Sequence, residues 1–221
     1  METLNIAILD DDETKISRIK TKFVQQNDKN TEIYNDNYSD YNLNLIPIDV
    51  EQSCEQIVEE IMANNFDGII IDYDFTSFAK TPNNGVKIAN QINKKVSEYP
   101  LFILTAYEKQ LFDNELFDAY QIYNYDNYLN NINATREFHS RLIEQILKSR
   151  KQKHLWETEL KSLLKKAGTS VEIDSRILEL DNELEKSLDK ECALDSKLKE
   201  DLSSNKLLEL LQKIDKVLEE D

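Results

Sequence analysis

Three short stretches of this 221-residue chain have the side-chain types and spacing to do chemistry: Asp10-Asp11-Asp12-Glu13, Asp72-Tyr73-Asp74 and Thr105-Ala106. Each closes an apolar run, Leu4–Leu9, Phe66–Asp72 and Leu101–Thr105 respectively. If those runs are neighbouring strands of one parallel sheet, their ends share one rim. Carboxylates gathered there repel, and at neutral pH they cannot all stay ionised cheaply. A divalent, oxygen-seeking cation relieves the repulsion. Mg²⁺ does so with one or two carboxylates, waters and a phosphate. A carboxylate held in such a site can attack phosphorus, and a hydroxyl on the next strand can donate to a phosphoryl oxygen. On this chemistry Asp10, Asp11 and Asp72 are the candidate metal ligands and Asp72 the candidate nucleophile. The plainer role for acids at this place is to cap a helix N-terminus. That role suits Asp12 and Glu13.

The elements that must position these residues are legible as an alternation. Apolar runs at Leu4–Leu9, Leu43–Val50, Phe66–Asp72 and Leu101–Thr105 predict strands, and Asn127–Leu129 predicts a weak fifth. Between them lie helical spacings: Ile16, Ile19, Phe23; then Ile57, Val58, Ile61, Met62; then Val86, Ile88, Ala89, Ile92. Leu111–Tyr120 suggests a short helix, and Phe138, Leu142 and Ile146 begin a long one. Strands apolar on both faces, alternating with helices, predict an α/β parallel sheet covered on both sides. Ligands of such sheets bind at the carboxyl ends of the strands.

In that order and spacing the motifs resemble the receiver domain of response regulators, the CheY-like family, over roughly residues 3–150. Ile6-Ala7-Ile8-Leu9-Asp10-Asp11 resembles the family's first strand and metal-binding acid pair. Phe66-Asp67-Gly68-Ile69-Ile70-Ile71-Asp72 resembles the third strand with its phosphoacceptor, which the resemblance places on Asp72. Asn84-Gly85 resembles the turn before the third helix, and Pro100-Leu101-Phe102-Ile103-Leu104-Thr105-Ala106 resembles the fourth strand with its switch hydroxyl, Thr105. The resemblance implies a flavodoxin-like, doubly wound, five-stranded parallel sheet. It also implies Mg²⁺ as cofactor and a phosphoryl group delivered to Asp72 by a partner kinase.

The chain departs from the family at its fifth strand, which ordinarily ends in Lys-Pro. Asp126-Asn127-Tyr128-Leu129-Asn130-Asn131-Ile132 aligns there, with Asn131 at the lysine position, and no lysine occurs between Lys109 and Lys148. Asparagine can donate a hydrogen bond but supplies no charge. The loop from Asp72 to Gly85 is also longer than usual, and Gln25–Leu43 suggests an extra surface loop. Tyr128 falls where the family carries an exposed output aromatic, or it is a packed sheet-edge tyrosine. A rival resemblance is to the DxDxT loop of haloacid-dehalogenase-type phosphatases, in Asp72-Tyr73-Asp74-Phe75-Thr76. There Asp72 would be the nucleophile and Asp74 the acid/base. The position of Asp10-Asp11 ahead of this strand, and the missing later lysine, count against it.

Composition changes near residue 150. Residues 1–150 hold 19 of the asparagines and all three prolines; residues 151–221 carry 13 basic and 18 acidic residues. Residues 151–221 therefore read as an all-α extension, a helical hairpin or coiled coil. Gly168 is a helix stop, Thr169-Ser170-Val171-Glu172 a capping box, and Ile173, Ile177, Leu180, Leu184 and Leu188 an apolar stripe. Leu194, Leu198 and Leu202 continue it, and a last helix follows Ser203-Ser204. The net charge of −16 counts against binding to a nucleic-acid backbone. No apolar run approaches the roughly 18 residues of a membrane span. His139 and His154 read as surface residues, Cys54 and Cys192 as small apolar ones, and Trp156 as a packing anchor. The expectation is a cytoplasmic signalling protein, not an enzyme, whose helical extension contacts an effector or a second copy. Its alternative is a phosphorylation-independent adaptor on the same scaffold.

Overall fold

The computed structural model describes residues 1–75, 81, 83–106, 121–190 and 193. Five strands, β1 (Glu2–Leu9), β2 (Tyr41–Pro47), β3 (Gly68–Ile71), β4 (Leu101–Thr105) and β5 (Ile122–Asn124), form one sheet in the order β2-β1-β3-β4-β5. All four pairings are parallel. This is the flavodoxin-like order, whose switch point lies between β1 and β3. The helices are α1 (Glu13–Gln25), α2 (Cys54–Asn64), α3 (Gly85–Lys95), α4 (Tyr125–Asn130), α5 (Ile132–Leu164) and α6 (Val171–Leu188).

The strands are apolar throughout because both faces are covered. Successive side chains alternate between faces. Ala7, Leu9, Ile69, Ile71 and Ile103 pack with Ile57, Ile61, Ile88 and Ile92 of α2 and α3. Ile6, Ile8, Ile70, Phe102 and Leu104 pack with Ile19 and Phe23 of α1 and with Phe138, Leu142 and Ile146 of α5. The apolar runs and the helical spacings thus interlock register by register.

The expected fifth strand moves. No strand forms at Asn127–Leu129; these residues lie in α4, and β5 is five residues earlier. The Asn124 side chain accepts from the Asn127 backbone N–H at 2.9 Å and starts a helix at once, while Tyr125 and Tyr128, three apart, turn to the interior. The helix expected at Leu111–Tyr120 lies outside the described residues, as do Cys192, the last helix and residues 76–80 and 82 of the long Asp72–Gly85 loop.

The chain divides into two compact units, one of residues 1–94 and 98–149, the other containing residues 95–97 and 150–190. In the second, Gly168 takes φ +77°, and the Ser170 side chain accepts from Ile173 N–H at 3.3 Å to cap α6. The cap is therefore one residue later than the Thr169–Glu172 box. Arg176 forks onto Glu159, Nε to Oε1 at 2.7 Å and Nη2 to Oε2 at 3.1 Å, and clamps α6 to α5. No described helix is long and apolar enough to cross a membrane.

Candidate functional site at the carboxyl edge of the sheet

β1 and β3 are neighbours, so Asp10 and Asp72, which follow them directly, meet at the switch point. Asp72 is 2% exposed, Asp10 7%, and Thr105 at the end of β4 is buried. The backbone holds Asp72 tightly. Its N–H continues the sheet to Leu9 O at 2.9 Å, and its Oδ1 accepts from the Tyr73 N–H at 2.7 Å. Asp10 Oδ1 accepts from Asp12 N–H at 2.8 Å. Asp12 itself is the α1 cap, accepting from Thr14 N–H at 2.8 Å and Lys15 N–H at 3.3 Å. Asp11, expected beside Asp10 and Asp72, makes no metal-holding group with them among the described residues. Asp12 serves the helix, and Asp10 faces the pocket with Asp72.

The residue that sequence reasoning missed is Lys15. Its Nζ donates to Asp72 Oδ2 at 2.6 Å and lies 3.9 Å from Asp10 Oδ2. The ammonium also sits 5.6 Å from the centroid of the Tyr125 ring, in cation–π range. Burial pulls the Lys15 pKa down. The Asp72 hydrogen bond and the charges of Asp72, Asp10 and Asp12 outweigh it, and the net shift is upward, so the ammonium stays charged. A signal existed: Lys15 lies four residues before Ile19 and eight before Phe23, on the helix face that turns to the sheet.

Asp10 carries the cost of this crowding. Burial, and then the Asp72 charge, raise its pKa to about 7, against the opposing pull of the Asp12 N–H and Lys15. One ammonium faces two carboxylates, and Asp10 is the one left to take a proton. A carboxylate with a raised folded pKa stabilises the fold below its ordinary pKa near 4, and that stability is lost as pH rises through 7. Asp10→Asn keeps an acceptor for the Asp12 N–H and gives up only the long Lys15 attraction. We expect it to be more stable than the parent at pH 8 by about 1 kcal/mol, roughly 2–4 °C in melting temperature. The gain should shrink towards pH 4, as thermal melts across that range will report.

Mg²⁺ is the cation that this acid set suggests. Among the described residues no three or more of His, Cys, Asp and Glu form a group that could hold a metal ion. The position between Asp72 and Asp10 is taken by the Lys15 ammonium. As arranged, these residues fit an ammonium and do not fit a divalent cation.

Asn131 is not at a strand end. It follows α4, is exposed, and accepts from Asn133 N–H at 3.0 Å to begin α5. The residue paired with Thr105 on β5 is Asn124, whose side chain is used as the α4 cap. Tyr128 is neither an exposed aromatic nor a sheet-edge residue. It is 1% exposed in α4, with its hydroxyl 3.0 Å from His139 Nε2. His139, expected on the surface, is 2% exposed. Cys54 is buried, in keeping with a small apolar role.

No protein-family model matches the chain, and no curated protein matches it. Among solved structures it is similar to the anti-anti-sigma factor PhyR from Bartonella quintana, at 13% identity and a TM-score of 0.41, over 69% of this chain and 50% of that one. The chain thus spans half the length of that protein. It is also similar to a fusion carrying the trimeric coiled coil of yeast Spc42, at 20% identity and a TM-score of 0.40, over 83% of this chain and 95% of that one. Both likenesses are too distant to bear on function.

Proposed function

We propose that the chain is a receiver-like adaptor that acts by protein–protein contact and does not carry a phosphoryl signal on Asp72. One observation supports this above the others. Both carboxylate oxygens of Asp72 are engaged, Oδ1 by the Tyr73 N–H and Oδ2 by Lys15, in a side chain that is 2% exposed. A nucleophile towards phosphorus must present a free oxygen lone pair in line with the leaving group. Here each oxygen gives one of its two lone pairs to a donor of its own protein, and the ammonium on Oδ2 lowers the nucleophilicity of a side chain that is already buried. Contact with an effector protein, or with a second copy, is assigned to the helical extension. Its exposed apolar residues include Leu155, Leu164, Val171 and Leu188. The same closed carboxylate counts against phosphatase turnover through Asp72 and Asp74.

The second reading is a phosphorylated receiver. The meeting of Asp10 and Asp72 at the switch point, with Thr105 ending the adjacent strand, favours it. Incubation with Mg²⁺ and acetyl phosphate, followed by intact mass, separates the two. The adaptor reading expects no added mass. A gain of one phosphoryl group, absent in Asp72→Asn, would replace it with the receiver reading. Phosphate release from a generic phosphomonoester, abolished by the same substitution, would promote the phosphatase.

A further inference from the structure

We infer that Lys15 is the resident cation of the acid pocket, standing where a divalent ion would otherwise bridge Asp72 and Asp10. The inference concerns the pocket on which the adaptor reading rests, and it assigns that pocket's closure to one side chain.

Three features of the geometry carry it. The first is position. The ammonium is 2.6 Å from Asp72 and 3.9 Å from Asp10, so it lies between the ends of β1 and β3, where a bridging ion would need to sit. The second is enclosure. The Lys15 side chain is 20% exposed, and its partner carboxylates are 1% and 3% exposed. A surface ion pair is worth little because water screens it, and this pair is largely out of water. Lys20, on the same helix, is exposed. The third is anchoring. Asp12 accepts from the Lys15 backbone N–H, and Tyr125, the first residue of α4, lies under the ammonium. The side chain is thus held at its root by the α1 cap and near its tip by an aromatic ring that follows directly on β5.

The arrangement also accounts for the missing charge on β5. Thr105 is paired there with Asn124, which brings no charge, and the positive group of the pocket comes from α1 instead. A lysine on a helix packed over the first strand reaches the same carboxylates from the opposite side. One of the pocket's two carboxylates is therefore offset by a cation from the chain itself. An ammonium cannot take two carboxylate ligands at the roughly 2.1 Å that Mg²⁺ demands, and it cannot add waters in an octahedron. A divalent ion has to evict it.

Manganese binding tests this directly, with the full chain stripped of metal and bound Mn²⁺ counted by electron paramagnetic resonance. The wild-type chain, Lys15→Met and the double variant Lys15→Met/Asp72→Asn are compared, with circular dichroism to check folding. Lys15→Gln replaces Lys15→Met if the methionine variant does not fold. We expect the Lys15 variant to bind one Mn²⁺ at least about tenfold more tightly than the wild-type chain, and the added Asp72→Asn to abolish that gain. Equal affinity in wild type and single variant overturns the inference, whether both bind or neither does. A gain that survives Asp72→Asn overturns it too, because the ion would then sit elsewhere. The outcome is separable from the adaptor reading. Equal Mn²⁺ affinity in the wild-type chain and the Lys15 variant, with no phosphoryl mass gain, ends the inference and leaves the adaptor. A phosphoryl gain on wild-type Asp72 ends the adaptor reading by itself.

Discussion

Gly85→Ala should destabilise the protein by about 3 kcal/mol or more and disturb the acid pocket with it. A β-carbon on Gly85 would lie 1.9 Å from the Asp72 carbonyl oxygen and 2.8 Å from Ile71 Cγ2. The first of those atoms is backbone in the central strand region and cannot swing aside. Gly85 N–H also donates to Tyr73 O at 3.0 Å, so α3 begins in direct contact with the segment that carries Asp72. Relief requires α3 to lift or Asp72 to shift, and either loosens the Asp72–Lys15 contact. Gly168 provides the contrast. Nothing lies within 4 Å of a β-carbon built there, but its φ of +77° is a left-handed conformation. Gly168→Ala should therefore cost only the backbone preference, about 1 kcal/mol, and leave the pocket intact. Urea unfolding of both variants gives the two costs. Equal costs would mean that close approach at Gly85 is not what holds the glycine there.

The parts of the fold that could be read from the chain are those whose signal is strong and local. β4 spans Leu101–Thr105 as its apolar run between Pro100 and Ala106 indicates. β1 and β3 follow their aliphatic runs, and the carboxylates at their ends could be placed on one rim because parallel connections bring consecutive strand ends to the same edge. β5 could not be read this way. It has only three residues, Ile-Tyr-Asn, inside a run of tyrosines and asparagines where neither period 2 nor period 3.6 stands out. The later segment Asn127–Leu129 reads as equally extended, and only the Asn124 cap makes it helical. The shift carried Asn131 out of the pocket.

Lys15 was hidden for a different reason. A lysine near a helix start is ordinarily a solvated charge, and its long stem allows the ammonium to go almost anywhere. Only the third dimension shows that this stem runs along the sheet towards Asp72. The spacing from Lys15 through Ile19 to Phe23 carries the hint, and the type of residue argues against it. His139 poses the same conflict. Thr135, Phe138, His139, Leu142, Ile143 and Ile146 form one buried face at spacings of three and four, and the histidine belongs to it by position. Position prevails over polarity at both residues because each finds a partner. Lys15 meets two carboxylates, and His139 meets the Tyr128 hydroxyl.

That burial makes His139 the group whose protonation should most clearly weaken the fold in mild acid. Its ring is 2% exposed, packs edge-on to Phe23 at 4.9 Å, and has the Tyr128 hydroxyl 3.0 Å from Nε2. Nδ1 is buried with no hydrogen-bond partner among the described residues. A proton added to this ring would bring a charge into an apolar layer and a donor with nothing to receive it. Burial first, and the Lys22 charge second, lower the pKa to about 3. The unfolded chain, with a histidine pKa near 6.5, therefore binds the proton before the folded chain does. Stability is complete above pH 6.5 and falls as pH drops towards 3, by about 1.4 kcal/mol per unit, or roughly 2 kcal/mol at pH 5. Asp10 works in the opposite sense, because its raised pKa makes the fold gain stability as pH falls from 7 towards 4. In the parent chain the two slopes oppose each other, and a flat profile would conceal both. The measurement therefore belongs in the Asp10→Asn background, by urea unfolding at pH 7.5 and pH 5. There the loss of about 2 kcal/mol should emerge, and adding His139→Leu with Tyr128→Phe should remove it, since that pair deletes the ionisable ring and its hydroxyl partner together. A loss that persists in the triple variant would assign the acid sensitivity to other groups and leave His139 a packing residue only.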